Sequence, residues 1–255
     1  MSNYYYKKKV FGFAPSTKRP TYDGVNDYSK SNFTLGTWAG AGSEFFSLTS
    51  ILLGFSFQST HVGSWGGVVT LDPTGVSNSG VILEKNSSGT LRVLIYYQRA
   101  DLSVGSTELS STIAINDGVK RNVILHINVA ADVATIKLYF NATLNKSKVV
   151  SNFKNVRFNG SSTTSRLSIA AHGGSDFYPS QHITMAIDYL DLFAVRAYSD
   201  AEVAGYIADR NHLNSDLYAR FTFTEGEGAE SFANGDPSKK MEHTNVTLPD
   251  FWQEY

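Results

Sequence analysis

The chain has 255 residues and a net charge of −1 at pH 7; 42% of its residues are hydrophobic and 18% are charged. That is enough apolar material for a core and too little charge for a disordered chain, and the balance excludes a global basic field for nucleic acid or an anionic membrane. With no cysteine there is neither a disulfide framework nor thiolate chemistry.

The opening MSNYYYKKKVFGFAPS lacks the apolar stretch of an export signal, and no run approaches the ~18 apolar residues of a membrane span. The expectation is a soluble product made in a cytoplasm, with no membrane and no nucleic-acid partner. Residues 1–30 carry Tyr4, Tyr5, Tyr6, Phe11 and Phe13 without a sustained period. This predicts an extended arm whose aromatics pack back on the domain or onto a neighbouring subunit.

Strand signals then repeat. SILLGFSFQS (50–59) is rich in β-formers, and GVILEK (80–85) and TLRVLIYYQR (90–99) flank the turn sequence NSSG. The clearest pair is NVILHINVA (122–130) with ATIKLYFN (134–141). Val123, Leu125, Ile127 and Val129 share one face of the first, and Ile136, Leu138 and Phe140 one face of the second. RLSIAA (166–171), ITMAIDYLDLFAVRAY (183–198) and LYARFTFTE (217–225) bring the expectation to roughly ten to twelve strands in two packed antiparallel sheets.

One helix interrupts this pattern, at about 199–211 in AYSDAEVAGYIADRN. Ser199 and Glu202 have the spacing of a capping box, and Asp200 adds a favourable charge in the first turn. Val203, Tyr206, Ile207 and Arg210 form a stripe suited to a sheet edge, with Asn211 as the stop.

The segment AIDYLDLFAVRAYSDAEVAGYIADRN resembles the closing strand and helix of laminin G-like and other concanavalin A-like lectin/glucanase domains. RNVILHINVAADVATIKLYFNATL (121–144) is similar to that family's central strand pair, although Ala142 stands where a turn glycine is usual. LYARFTFTEGEG (217–228) is similar to a third stretch, with Glu225, Gly226 and Gly228 kept and Arg220 where tryptophan is common. The resemblance covers about residues 33–235. It implies an all-β, antiparallel jelly-roll β sandwich over 31–236, preceded by the arm at 1–30 and followed by a docking tail at 237–255. Phe251, Trp252 and Tyr255 of that tail join the arm aromatics as expected assembly contacts.

Glucanase-like enzymes of the superfamily carry E-x-D-x-x-E on one strand. The matching positions here are Ala186, Asp188 and Asp191, so the nucleophile position has no oxygen, and a regular strand would send the two aspartates to opposite faces. No enzyme is therefore expected. His172 and His182 share a loop with Asp176, but no histidine pair has zinc spacing. No cofactor is required; the family resemblance admits calcium, for which Asp72, Asn78, Asp117, Asp132 and Asp176 are the oxygen donors at hand.

Sugar binding needs aromatic faces beside planar polar groups. Trp38, Trp65, Phe177 and Tyr178 stand in suitable loop contexts, and the selected sets are Trp65 with His61, and Tyr178 with Asp176 and His172. The resulting expectation is a non-catalytic recognition or structural module. It would be a bacteriophage virion protein on a head, neck or tail fibre, made in the host cytoplasm and binding cell-surface carbohydrate. Its partners would be other virion proteins, bacterial polysaccharide and further copies of itself. The alternatives are a decoration protein without glycan affinity and a divergent polysaccharide-cleaving enzyme.

Overall fold

Strands dominate the computed structural model, which describes residues 18–39, 46–63, 65–72, 79–158, 166–171, 182–223, 229–234, 236–244, 246 and 251–254. In chain order the first are β1 (Lys18–Asp23), β2 (Tyr28–Ser31), the single-turn helix α1 (Leu35–Ala39), β3 (Phe46–Leu48), β4 (Ser50–Ser59) and β5 (Gly66–Asp72). There follow β6 (Val81–Lys85), β7 (Thr90–Gln98), β8 (Val104–Ala114), β9 (Arg121–Ala130), β10 (Val133–Phe140) and β11 (Thr143–Ser151). The remainder are β12 (Asn155–Phe158), β13 (Arg166–Ile169), β14 (Thr184–Phe193), helix α2 (Asp200–Ala208), β15 (Leu217–Phe221), β16 (Glu230–Ala233), β17 (Asp236–Thr244) and β18 (Trp252–Glu254). No helix among the described residues is long and apolar enough to cross a membrane.

These strands form two antiparallel sheets packed as a jelly-roll sandwich, the all-β class expected. One sheet runs β11-β10-β9-β4-β14-β1-β18, with β15 also paired to β14; the other runs β16-β17-β2-β13-β5-β6-β7-β12-β3, with β8 paired to β7. Period-2 alternation explains the core between them. Ile51, Leu53, Phe55 and Phe57 of β4 point inward beside Val123, Leu125 and Ile127 of β9 and Ile136, Leu138 and Phe140 of β10. Leu91, Val93, Ile95 and Tyr97 of β7 meet them from the opposite sheet. The tight β9–β10 and β10–β11 connections use left-handed residues at both central positions, Ala131–Asp132 and Asn141–Ala142, as type I′ hairpin turns require.

The expected arm and tail are partly absorbed into the sandwich. Residues 18–31 supply a strand to each sheet, and β18 pairs with β1. Phe251 and Trp252, expected as docking contacts, are instead 2% and 3% exposed and lie in the chain's own core. The apolar rings gain more from an interior lined by Tyr22 and His243 than from a neighbour: Phe251 sits 5.2 Å from the Tyr22 ring and 4.7 Å from that of His243. Tyr4, Tyr5, Tyr6, Phe11, Phe13 and Tyr255 lie outside the described residues.

A buried polar chain crosses between the sheets at this point. The Tyr22 hydroxyl is 2.7 Å from Ser29 Oγ, which bonds His243 Nδ1, and His243 Nε2 is 2.9 Å from Ser231 Oγ. Burial holds His243 neutral, its pKa lowered from 6.5 to about 3. The folded state thus binds fewer protons than the unfolded chain between those two values, and stability falls as pH drops through the window. The expected contribution is a loss of about 1.4 kcal/mol per pH unit. Unfolding free energies across this range should show a shallower acid slope for His243→Gln than for the unaltered protein; equal slopes contradict the assignment.

Helix α2 begins as its sequence dictates. Ser199 Oγ accepts from the Glu202 amide at 3.2 Å, and the Glu202 carboxylate accepts from the Ser199 amide at 2.8 Å. It ends at Ala208, with Asp209 rather than Asn211 as the cap. The stripe does not lie against a sheet edge. Val203 and Tyr206 pack on the outer face of the first sheet, against Leu52 of β4, Ile124 of β9 and Phe193 of β14. Gly54 makes the close approach possible: an added Cβ would stand 2.9 Å from two Tyr206 ring carbons and closer still to the hydroxyl. Gly54→Ala is expected to cost about 1–3 kcal/mol in chemical denaturation, with the fold retained.

Candidate functional site

On the outer face of β14 the strand is not regular. Ile187 pairs with Phe57 and Tyr189 with Ser56, which leaves Asp188 as the extra residue of a β-bulge. The bulge shifts the parity of the strand, so Asp188 and Asp191 share the outer face rather than taking opposite ones. Both carboxylates are committed. Asp188 meets Arg19 Nε at 2.8 Å, Lys120 Nζ at 2.8 Å and Ser56 Oγ at 3.3 Å.

Asp191 is fully buried, not a surface residue. It accepts from Arg210 Nε at 2.6 Å and also from Arg210 Nη2, from Arg220 Nε at 3.0 Å and Nη2 at 3.1 Å, and from the Tyr206 hydroxyl at 2.9 Å. Arg220 is fixed in turn by Asn211, Asn214 and the Arg210 carbonyl. Desolvation of an ion is tolerated here because every carboxylate lone pair has a donor. With Ala186 at the expected nucleophile position and both aspartates bound to cations, this strand offers no free carboxylate pair.

Beside this cluster lies a groove of about 420 Å³, lined by Asn122, Ile124, Tyr139, Asn141, Ala142, Tyr189, Tyr206, Ile207 and Arg210. Strand register assembles it. Tyr139 of β10 stands opposite Ile124 of β9, which stands opposite Gly54 of β4, and Gly54 opposite Asp191. In the adjacent row Asn122 faces Ser56, and Ser56 faces Tyr189. The Arg210 guanidinium covers the Tyr189 ring at 3.7 Å from its centroid.

The polar edges of the groove are open. Asn141 Oδ1 accepts from the Asn122 amide at 2.9 Å, while the Asn141 Nδ2, the Asn122 side chain, the Tyr139 and Tyr189 hydroxyls and Arg210 Nη1 have no hydrogen-bond partner among the described residues. Burial raises the Tyr189 pKa to about 12 and pushes Tyr139 up as well, so both phenols are neutral donors at physiological pH. Arg210 stays charged: burial opposes its charge, and Asp191 outweighs burial.

The residues selected from sequence fare differently. His61 is buried, and its Nδ1 accepts from the Thr184 amide at 3.2 Å; burial first, and Lys85 second, lower its pKa. Trp65 is half-buried with the Arg92 guanidinium 4.6 Å from its ring, and Arg92 is anchored by Glu84 and Glu108. The two do not form an open sugar platform: one is a packed histidine and the other carries a cation on its ring. Trp38 is a core residue whose Nε1 donates to the Phe193 carbonyl at 2.7 Å. Tyr178, Asp176, His172 and Phe177 lie outside the described residues, as does Asn78. Of the calcium candidates, Asp117 bonds Arg121 and the Val119 amide, and no metal-holding group of three acidic, histidine or cysteine residues occurs among the described residues.

One groove residue carries a signal in the sequence itself. Tyr139 is a large aromatic on the polar face of an alternating strand, where water would otherwise be its neighbour. Arg210 sat on the helix stripe as an assumed packing residue, and the bulge that re-aims Tyr189 has no local signature.

No protein-family model matches the chain, and no curated protein matches its sequence. Among solved structures the chain is similar to a candidate carbohydrate-binding protein of Bacteroides ovatus ATCC 8483, with a TM-score of 0.56 and 12% identity, over 90% of this chain and 58% of that one. It is also similar to a mutant of the sialidase NanB of Streptococcus pneumoniae, with a TM-score of 0.52 and 18% identity, over 75% of this chain and 28% of that one. The chain thus spans little more than half of the first and about a quarter of the second. What is shared at these identities is the fold, a jelly-roll β sandwich.

Asp191→Asn removes the anion that the buried Arg220 and the half-buried Arg210 share. The expected cost is about 3–5 kcal/mol, read as a lowered denaturation midpoint, whereas Asp188→Asn, at a more open position, should cost clearly less.

Proposed function

We propose that the protein is a non-catalytic carbohydrate-binding module that seats a sugar in the groove beside α2. The observation that carries this is the groove itself. The Tyr139 ring supplies a flat face for a sugar C–H patch, and the unpartnered amide, hydroxyl and guanidinium groups around it suit the neighbouring hydroxyls. Its volume falls within the roughly 300–1,000 Å³ usual for ligand sites. The similarity to a candidate carbohydrate-binding protein is in keeping with the reading.

The finer placement is also ours: display on a bacteriophage head, neck or tail fibre, where the module would touch host surface polysaccharide and other virion chains. The cysteine-free composition and the aromatic-rich segment 1–13 suit a cytoplasmically assembled particle.

Binding of bacterial-surface polysaccharides to the purified protein, followed by calorimetry, tests the site. Tyr139→Ala is expected to weaken binding by about tenfold or more, a loss of about 1.4 kcal/mol, whereas Trp65→Ala should leave affinity unchanged. Binding lost in Trp65→Ala and retained in Tyr139→Ala would move the site to the other sheet.

A further inference from the structure

Resting on that reading, we propose that the groove selects carboxylate-bearing saccharides, of the uronic or sialic acid class, over neutral ones. The first ground is the charge count on this face. Asp188 and Asp191 contribute two negative charges, while Arg19, Lys120, Arg210 and Arg220, all bonded directly to them, contribute four positive ones. Elsewhere on this face Lys137 with Asp200 is balanced, and at the start of α2 Arg196 is shared by Glu202 and Asp216, an excess of one negative charge at the opposite end of the helix from Arg210. A surplus of two positive charges therefore surrounds the Tyr189 end of the groove, and it sits partly out of water, where screening is weak.

The second ground is where that surplus is delivered. Asp191 holds Arg210 through Nε and Nη2, the inner edge of the guanidinium. This leaves Nη1, without a partner among the described residues, on a side chain that lines the groove. A guanidinium clamped on one edge is already oriented, so little side-chain entropy is lost when its remaining donors meet an anion. A carboxylate at that point can also accept from the Tyr189 hydroxyl, which is neutral and unpartnered. Among the described residues no carboxylate lines the groove, so none faces an acidic sugar there.

The third ground is geometric economy. Asn122 and Asn141 line the same groove with amides free to read ring hydroxyls, so charge recognition and hydroxyl recognition are available to one small ligand. Asp209, the acidic residue nearest in sequence to Arg210, is occupied in capping the Asn211 amide at 2.9 Å and is not a groove residue.

The test uses the full chain and two probes: a hexuronate oligosaccharide, and the same oligosaccharide after reduction of its carboxyl groups to alcohols. Affinities are measured for both at low and at high salt. The expected result is at least tenfold tighter binding of the acidic form, with the preference shrinking as salt is raised. Asn141→Asp keeps the oxygen that accepts from the Asn122 amide and adds a negative charge to the groove. It also removes the Asn141 amide donor, so both probes should weaken, the acidic one at least fivefold more than the neutral one. Lys120→Gln, at a half-exposed position outside the groove lining, should reduce the preference without affecting folding.

Equal binding of the two probes overturns the proposed selectivity while leaving a neutral-sugar site in place. Binding of neither, by a protein with an intact near-ultraviolet circular dichroism spectrum, overturns the carbohydrate reading and this inference with it.

Discussion

Everything on the working face depends on one buried carboxylate. Asp191 has no solvent exposure, yet it receives two guanidiniums and a phenol. Those donors come from three places: Tyr206 within α2, Arg210 just beyond it, and Arg220 on the neighbouring β15. A buried anion tolerates little freedom in its partners, because any donor that leaves exposes an uncompensated charge to a poorly solvated environment. The helix is thereby fixed in rotation and translation on the sheet, and with it the wall of the groove.

The packing around this anchor follows from it. Tyr206 can reach Asp191 only because position 54 has no side chain, and the apolar patch of Leu52, Ile124, Phe193 and Val203 closes around the polar contact and keeps water out. Arg210, held by one edge, lies over Tyr189 and turns its other edge to the groove. The bulge at Asp188 completes the arrangement by turning Tyr189 outward and placing a second carboxylate between Arg19 and Lys120. One carboxylate position in the sequence pattern that resembles a catalytic strand has become a structural pin. The other carries a cation on either side.

Much of this fold is legible from residue pattern. β10 alternates cleanly and the inward residues expected of β9 and β10 are buried except the half-buried Val129, because a strand with one dry face leaves a period-2 record; Ile124 and His126 on the other face of β9 are buried as well. The capping box of α2 is equally local and therefore equally visible. β8 leaves no such record, because three of its four inward positions, Gly105, Thr107 and Ser111 beside Leu109, are too small or polar to mark a hydrophobic face. β11 leaves none because, at a sheet edge, most of it is exposed. Strands β1, β2 and β18 read as arm and tail because their pairing partners are distant in sequence, Lys30 opposite Ser168 and Lys18 opposite Glu254, and no local pattern reports so remote a partner.

The site was less legible than the fold. Choosing glycine-flanked aromatics favoured Trp65, whose ring Arg92 already covers, and gave no weight to the tyrosines of β10 and β14. Their convergence depends on register across four strands and on a bulge, neither of which is written in a short window. The central claim is that the groove beside α2 is where sugar binds. A crystal structure of the full chain with a bound acidic oligosaccharide tests it most directly. The account predicts a sugar ring against Tyr139 beside Asn141, with an acidic group at Arg210 and the Tyr189 hydroxyl; ligand seated instead on the sheet that carries Trp65, with this groove occupied by solvent alone, would contradict it.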